Sequence, residues 1–229
     1  MHGRRRARPE RKNMKKKLLI MSVAMVLVCA FAVGMTIAYL TSTDEVVNTF
    51  TVGNVQIKLD EAAVNPDGTL VPNADRVKAN SYKLIPGHTY TKDPTVTVLR
   101  GSESSYIKMT VTFTKADALD AIFAPNGADL TSIFNGYNPA NWIYKGNTED
   151  TVANTRTYEF WYKDAVPATT ENVALDALFD SITVPRTITN EQLATIADMT
   201  ITVNAYAIQA DGFTTPEAAW AAYPTNPAN

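Results

Sequence analysis

Cysteine is almost missing from this chain: one residue, Cys29, in 229. It sits inside an apolar run behind Leu27-Val28, where it serves as an apolar filler, and everything from Tyr39 onward has none. Disulfides, thiolate zinc sites and cysteine nucleophiles are thereby excluded from residues 39–229. Histidine is nearly as scarce, with His2 and His88 the only two. A zinc hydrolase brings two or three nitrogen or sulfur ligands, often as H-E-x-x-H on a helix, and nothing of that kind is present. His88 reads as an exposed residue of the Pro86-Gly87-His88-Thr89 turn. No Gly-rich phosphate loop and no G-x-S-x-G elbow occurs, and no local spacing of carboxylates marks an acid and base pair. The residues thus nominate no catalytic group, no metal ligand set and no cofactor.

An excess of positive charge occurs in one place. Nine Lys and Arg lie before Leu18, and without residues 1–38 the remainder carries 12 basic against 22 acidic side chains, a net of −10. A surface that acidic repels phosphates, so no nucleic-acid partner is expected, and the basic head reads as a translocation signal. It runs into 23 uncharged residues, Leu18 to Leu40, long enough to cross a bilayer, with Thr36-x-Ala38 at the small-residue spacing of a signal-peptidase site. Cleavage is expected between Ala38 and Tyr39; an uncleaved anchor is the competing reading, since the run exceeds an ordinary signal core. Both readings place the rest of the chain outside the cytoplasm, with membrane contact only through this segment. The start codon is Met1 or Met14.

Residues 39–229 suffice for one domain burying roughly 70% of its unfolded surface. Their pattern is β. Val55-Gln56-Ile57-Lys58-Leu59 alternates, Thr95 to Leu99 is a short strand, and Ser105 to Thr114 puts Ile107, Met109, Val111 and Phe113 on one face against Lys108, Thr110, Thr112 and Thr114. Trp142 to Tyr144 and Thr157 to Tyr162 read as paired aromatic strands joined through Gly146-Asn147. Met199 to Gln209 alternates again, its small Ala205 and Ala207 implying close packing under something bulky. Leu175 to Ile182 fits strand or helix. Turns are expected at Asn65-Pro66-Asp67-Gly68 and, as type II, at Pro86-Gly87. Ala116 to Phe123 reads as a short helix or loop, and short helices are expected at Asn190 to Ala197 and from Ala218 to Ala222 behind a capping box of Thr214 and Glu217. Many short strands with helices only as connectors indicate an all-β, antiparallel β-sandwich. The Asn65–Gly68 and Asn147–Asp150 clusters read as turns before calcium sites, and Trp142, Trp161 and Trp220 as core before a carbohydrate platform.

Three segments carry a resemblance. P-G-H-T-Y-T-K-D-P-T-V-T-V-L-R-G-S-E-S-S-Y-I-K-M-T-V (Pro86 to Val111), the junction T-I-A-Y-L-T-S-T-D-E-V-V-N-T-F-T-V-G-N-V (Thr36 to Val55) and the ending I-T-V-N-A-Y-A-I-Q-A-D-G-F (Ile201 to Phe213) resemble the TasA/camelysin family of exported Gram-positive proteins. Residues 116–187 are not matched. The resemblance implies a jelly-roll sandwich, processing by a SipW-type signal peptidase, and assembly with further copies, and with other matrix proteins, into extracellular biofilm fibres by donation of an N-terminal strand. That strand would be residues 39–50, with Leu40, Val46 and Phe50 on one parity to fill a neighbour's pockets and polar Ser42 and Asp44 between them. The family is also described as metalloendopeptidases, which is the second reading; a monomeric carbohydrate-binding module is the third. Kinship of fold is analogy for function.

Overall fold

The computed structural model describes residues 54–123 and 130–223. Nine strands form three antiparallel sheets among these residues. The longest, β4 (Ser105–Thr114), alternates buried and half-buried along all ten residues, because its four apolar side chains meet the core while its threonines and Lys108 face outward. It is the centre of a four-stranded sheet in the order β5 (Trp142–Asp150), β6 (Thr155–Tyr162), β4, β9 (Ile201–Gln209). A second sheet has the order β1 (Ile57–Asp60), β3 (Thr95–Val98), β7 (Val173–Ala174), and a third pairs β2 (Thr89–Thr91) with β8 (Ser181–Thr183). Val96 and Val98 of the second sheet share one apolar cluster with Ile107 to Phe113 of β4 and Tyr158 and Phe160 of β6. The fold is all-β and antiparallel, with short helices, as the alternation predicts.

Among the described residues four short helices occur, three between strands and one after β9: α1 (Ala116–Phe123), α2 (Leu130–Ile133), α3 (Asn190–Thr195) and α4 (Pro216–Ala222). Immediately after α2, Phe134 enters the core, and its ring centroid lies 4.7 to 5.9 Å from those of Phe113, Tyr158, Phe160 and Phe179. Helix α3 starts on a full capping box in which Thr189 and Gln192 exchange bonds. Helix α4 begins one residue later than the Thr214 capping box would have it: Thr215 is the cap, accepting from the Ala218 N–H at 3.2 Å. Pro216 explains the choice, because proline's missing N–H costs nothing at the first helical position, which makes its predecessor the cap.

The Pro86-Gly87 turn forms as expected, with the His88 N–H on the Ile85 carbonyl and Gly87 at φ 76, where a side chain would be strained. Other expectations fail. Strand β5 does not turn at Gly146-Asn147 but runs on to Asp150, so Asn147 to Asp150 is strand, and the hairpin turns at residues 151–154 with Asn154 at φ 50. Gly146, at φ 121, absorbs a register shift against β6; its freedom serves a bulge, which sequence alone does not separate from a turn. Leu175 to Asp180 is neither strand nor helix, and only Ser181–Thr183 is extended. The alanine face of β9 does pack against the core cluster, as its small side chains imply, but stays half-buried.

Candidate functional site

Two of the strands that end a sheet border one cleft. Strand β1 bonds to β3 and β9 to β4, and each is the last strand of its sheet among the described residues. The hydrogen-bond phase says which main-chain groups look outward. In the first sheet the Gln56 carbonyl takes the Leu99 N–H at 2.9 Å, so Lys58 and Asp60 face β3 and the main chains of Ile57 and Leu59 face away. In the other, Ala210 donates to Ser104 at 2.7 Å and Thr114 to Thr200 at 3.1 Å, so the even residues of β9 face β4. Ile201, Val203, Ala205 and Ala207 therefore turn their main chain to the open edge. They also carry the apolar face of the strand, which packs against the core and is half-buried.

These two edges face a common cleft of about 930 Å³, walled by Leu59 to Glu61 on one side and Thr200 to Val203 on the other. Its apolar patch includes Leu84, Leu193, Ile196 and Met199. Loop residues close the end of β1: Lys78 Nζ donates to the Leu59 carbonyl at 2.5 Å, and Glu61 and Val77 exchange main-chain bonds at 2.8 and 2.9 Å.

Below that end lie two polar clusters. Arg76 donates to Asp60 at 2.6 Å and to Asp93 at 2.8 Å, and its remaining nitrogen reaches Asp60, Asp93 and Thr95 oxygens at 2.9 to 3.2 Å. Burial alone would raise the Asp60 carboxyl, but hydrogen bonds from Lys58 and Arg76, with their charges, outweigh it and hold the group below its ordinary value of 3.8. A depressed carboxylate contributes stability that is complete above its unfolded value and is lost as pH falls through the folded one. The native chain should thus lose urea resistance between about pH 4 and pH 2 more steeply than Asp60→Asn, which lacks that titration; parallel curves would refute the linkage.

The second cluster is drier. Lys92 Nζ donates to Glu61 Oε2 at 2.5 Å, with side chains 8% and 7% exposed. The other oxygen, Oε1, accepts from Asn80 Nδ2 at 3.0 Å. Beside them the Tyr82 hydroxyl donates to the Thr91 carbonyl at 3.1 Å, and burial first, then the Glu61 charge, pushes its phenol well up. Nothing in the sequence analysis singled out Glu61, Asn80 or Lys92. The 19 residues from Glu61 to Asn80 and 31 to Lys92 carry no local spacing signal, and the loop between β1 and β2 brings them together.

The expected processing residues Ala38 and Tyr39 and the expected assembly residues Leu40, Val46 and Phe50 lie outside the described residues. His88 is exposed in its turn, its ring 6.2 Å from that of Tyr90. Among the described residues, no three His, Cys, Asp or Glu are grouped to hold a metal ion, and no helix is long and apolar enough to cross a membrane. Asn65 to Gly68 is a turn, while Glu149 of the other acidic cluster is spent on Arg156. The three tryptophans do not form one platform. Trp142 is core, with its indole N–H on the Asp176 carbonyl, whereas Trp161 and Trp220 pack together at 6.1 Å around α4, where Lys108 and Lys145 lie over their rings. No family model, curated protein or solved structure matches the chain.

Proposed function

We propose that this chain is an exported structural subunit that polymerises into extracellular matrix fibres, residues 39–50 of one copy adding as a strand in the cleft of the next. The observation that carries the reading is the pair of sheet edges facing one cleft. An edge with its N–H and C=O groups turned outward is a template for another extended chain: main-chain bonds supply affinity, and alternate side chains fill pockets. A twelve-residue segment reaches about 40 Å when extended, more than the roughly 30 Å of nine-residue β9. Leu40, Val46 and Phe50 share a parity, and each contributes about 1.5–3 kcal/mol if fully buried. Strand addition beside β9 would also cover the alanine face that now stays half-exposed, consistent with a jelly roll completed by its neighbour.

In this reading a SipW-type peptidase cuts after Ala38. Before the cut the donor segment is held at the membrane; afterwards it is free, so processing releases the subunit and enables polymerisation together. The partners are further copies and other matrix proteins, and no cofactor takes part. The test compares protein starting at Tyr39 with protein starting at Thr51, by light scattering and electron microscopy. The longer form should give filaments and the shorter none; equal polymerisation would sink the donated strand.

A further inference from the structure

The Lys92, Glu61 and Asn80 cluster has a chemistry that strand donation does not use. One carboxylate holds an amine on one oxygen and a carboxamide nitrogen on the other, at 2.5 and 3.0 Å, in a site where both charged side chains are more than nine-tenths buried. The rest of the amide is also engaged. Asn80 Oδ1 accepts from the Val64 N–H at 3.0 Å, and Nδ2 donates as well to the Ala62 carbonyl at 2.8 Å. An amine nucleophile, a carboxylate to move protons, and an amide whose oxygen already faces a backbone donor are the parts of an acyl transfer.

We propose that Lys92 and Asn80 join in an intramolecular isopeptide bond, formed by the chain itself with Glu61 as the proton carrier. Lys92 gives a proton to Glu61, and the freed amine adds to Asn80 Cγ. The carbonyl electron pair moves onto Oδ1, where the Val64 N–H stabilises the developing charge. Glu61 hands its proton to Nδ2, the Cγ–Nδ2 bond breaks, and the carbonyl reforms as the Nζ–Cγ amide. Of the two protons Lys92 loses, one completes ammonia and the other departs with it as ammonium, so Glu61 ends as it began and no oxidant or cofactor is consumed. Glu61 holds the amine on one oxygen and the amide on the other, so both reactants share one site, which replaces the bimolecular encounter that makes such condensations slow in water. The product has an exit, because Asn80 is half-buried and all three residues line the open cleft.

The consequence is a covalent clasp in a chain that has no cysteine beyond residue 29. It would tie the loop between β1 and β2 to the segment that joins β2 and β3, fixing one wall of the cleft.

Peptide mapping of the full-length chain after trypsin decides the matter. Residues 79–83 (A-N-S-Y-K) should be found joined to residues 84–100 (L-I-P-G-H-T-Y-T-K-D-P-T-V-T-V-L-R), uncut at Lys92, lighter by one ammonia than the two peptides together. Lys92→Arg and Glu61→Gln, checked for folding by circular dichroism, should instead be cut at residue 92 and release residues 79–83, 84–92 and 93–100 as three separate peptides. Asn80→Asp should join residues 79–83 to residues 84–100 with loss of water in place of ammonia, giving a branched peptide of the same mass as the native one; this arm stands even if the other variants fail to fold. A native chain that yields free 79–83 and is cut at Lys92, or a folded Glu61→Gln chain that is still joined, would overturn the proposal. An ammonia loss that maps to another asparagine would overturn it equally.

Discussion

Val203→Lys is expected to abolish filament formation while leaving the monomer folded. Val203 points its side chain to the apolar face of β9 and its main chain to the open edge, and it is half-buried at the wall of the cleft. In the monomer a lysine there can lift its ammonium into water along its own stem, so the stability cost should stay near 1 kcal/mol. In a polymer the same position is covered by the incoming strand. Assembly then loses the 1.5–3 kcal/mol of a buried valine and adds the cost of burying an unpaired charge. At about 1.4 kcal/mol per tenfold, the concentration needed for assembly rises at least ten- to a hundredfold, and once the charge is counted it passes out of practical range. Asn204→Lys is the control: one residue on, exposed, with its main chain bonded to β4. It should polymerise as the native chain does. Filaments from Val203→Lys at native concentration, by electron microscopy, would mean that the cleft is not where subunits meet.

Phe134→Ala should cost about 3–5 kcal/mol of folding stability, the range for removing a large buried aromatic from a core that cannot collapse around the void. Phe134 is 1% exposed and meets four other rings, three of them on neighbouring strands β4 and β6 and one, Phe179, from the segment before β8. No other side chain in the described core is surrounded by aromatics in this way, so truncation loses apolar burial and edge-to-face contacts together. Against the 5–15 kcal/mol that holds an ordinary domain, the loss is a large share. Urea unfolding should show a lower midpoint with an unchanged slope. Phe134→Leu should lose much less, because it fills most of the space. A midpoint unmoved by alanine would show that the ring does not hold the sheets together.

Phe134 also marks where sequence reading stopped. It stands in S-I-F-N-G, a stretch too short for a period, and its ring partners come from three separated segments. Strand β4, by contrast, was legible to the residue, since ten alternating positions with β-branched and aromatic side chains leave one face to bury. Gly146 has the sequence signature of a turn and forms a bulge, because glycine serves both. The shift of the α4 cap from Thr214 to Thr215 turned on one proline. Glu61, Asn80 and Lys92 were invisible, being ordinary surface residue types until a loop folded over them.

Patterns that repeat within a few residues were therefore fixed by the chain itself: the β class, the wet and dry faces of β4, the Pro86-Gly87 turn, the acidic charge of residues 39–229 and the scarcity of cysteine and histidine. Each depends on side-chain period, backbone φ or composition, which are local. Which strands end a sheet, which edges face one cleft, and which carboxylate meets which amine were decided only by tertiary structure. Those facts depend on pairings across many tens of residues, and the apolar alternation that makes a strand is the same whether a neighbour lies on one side of it or on both.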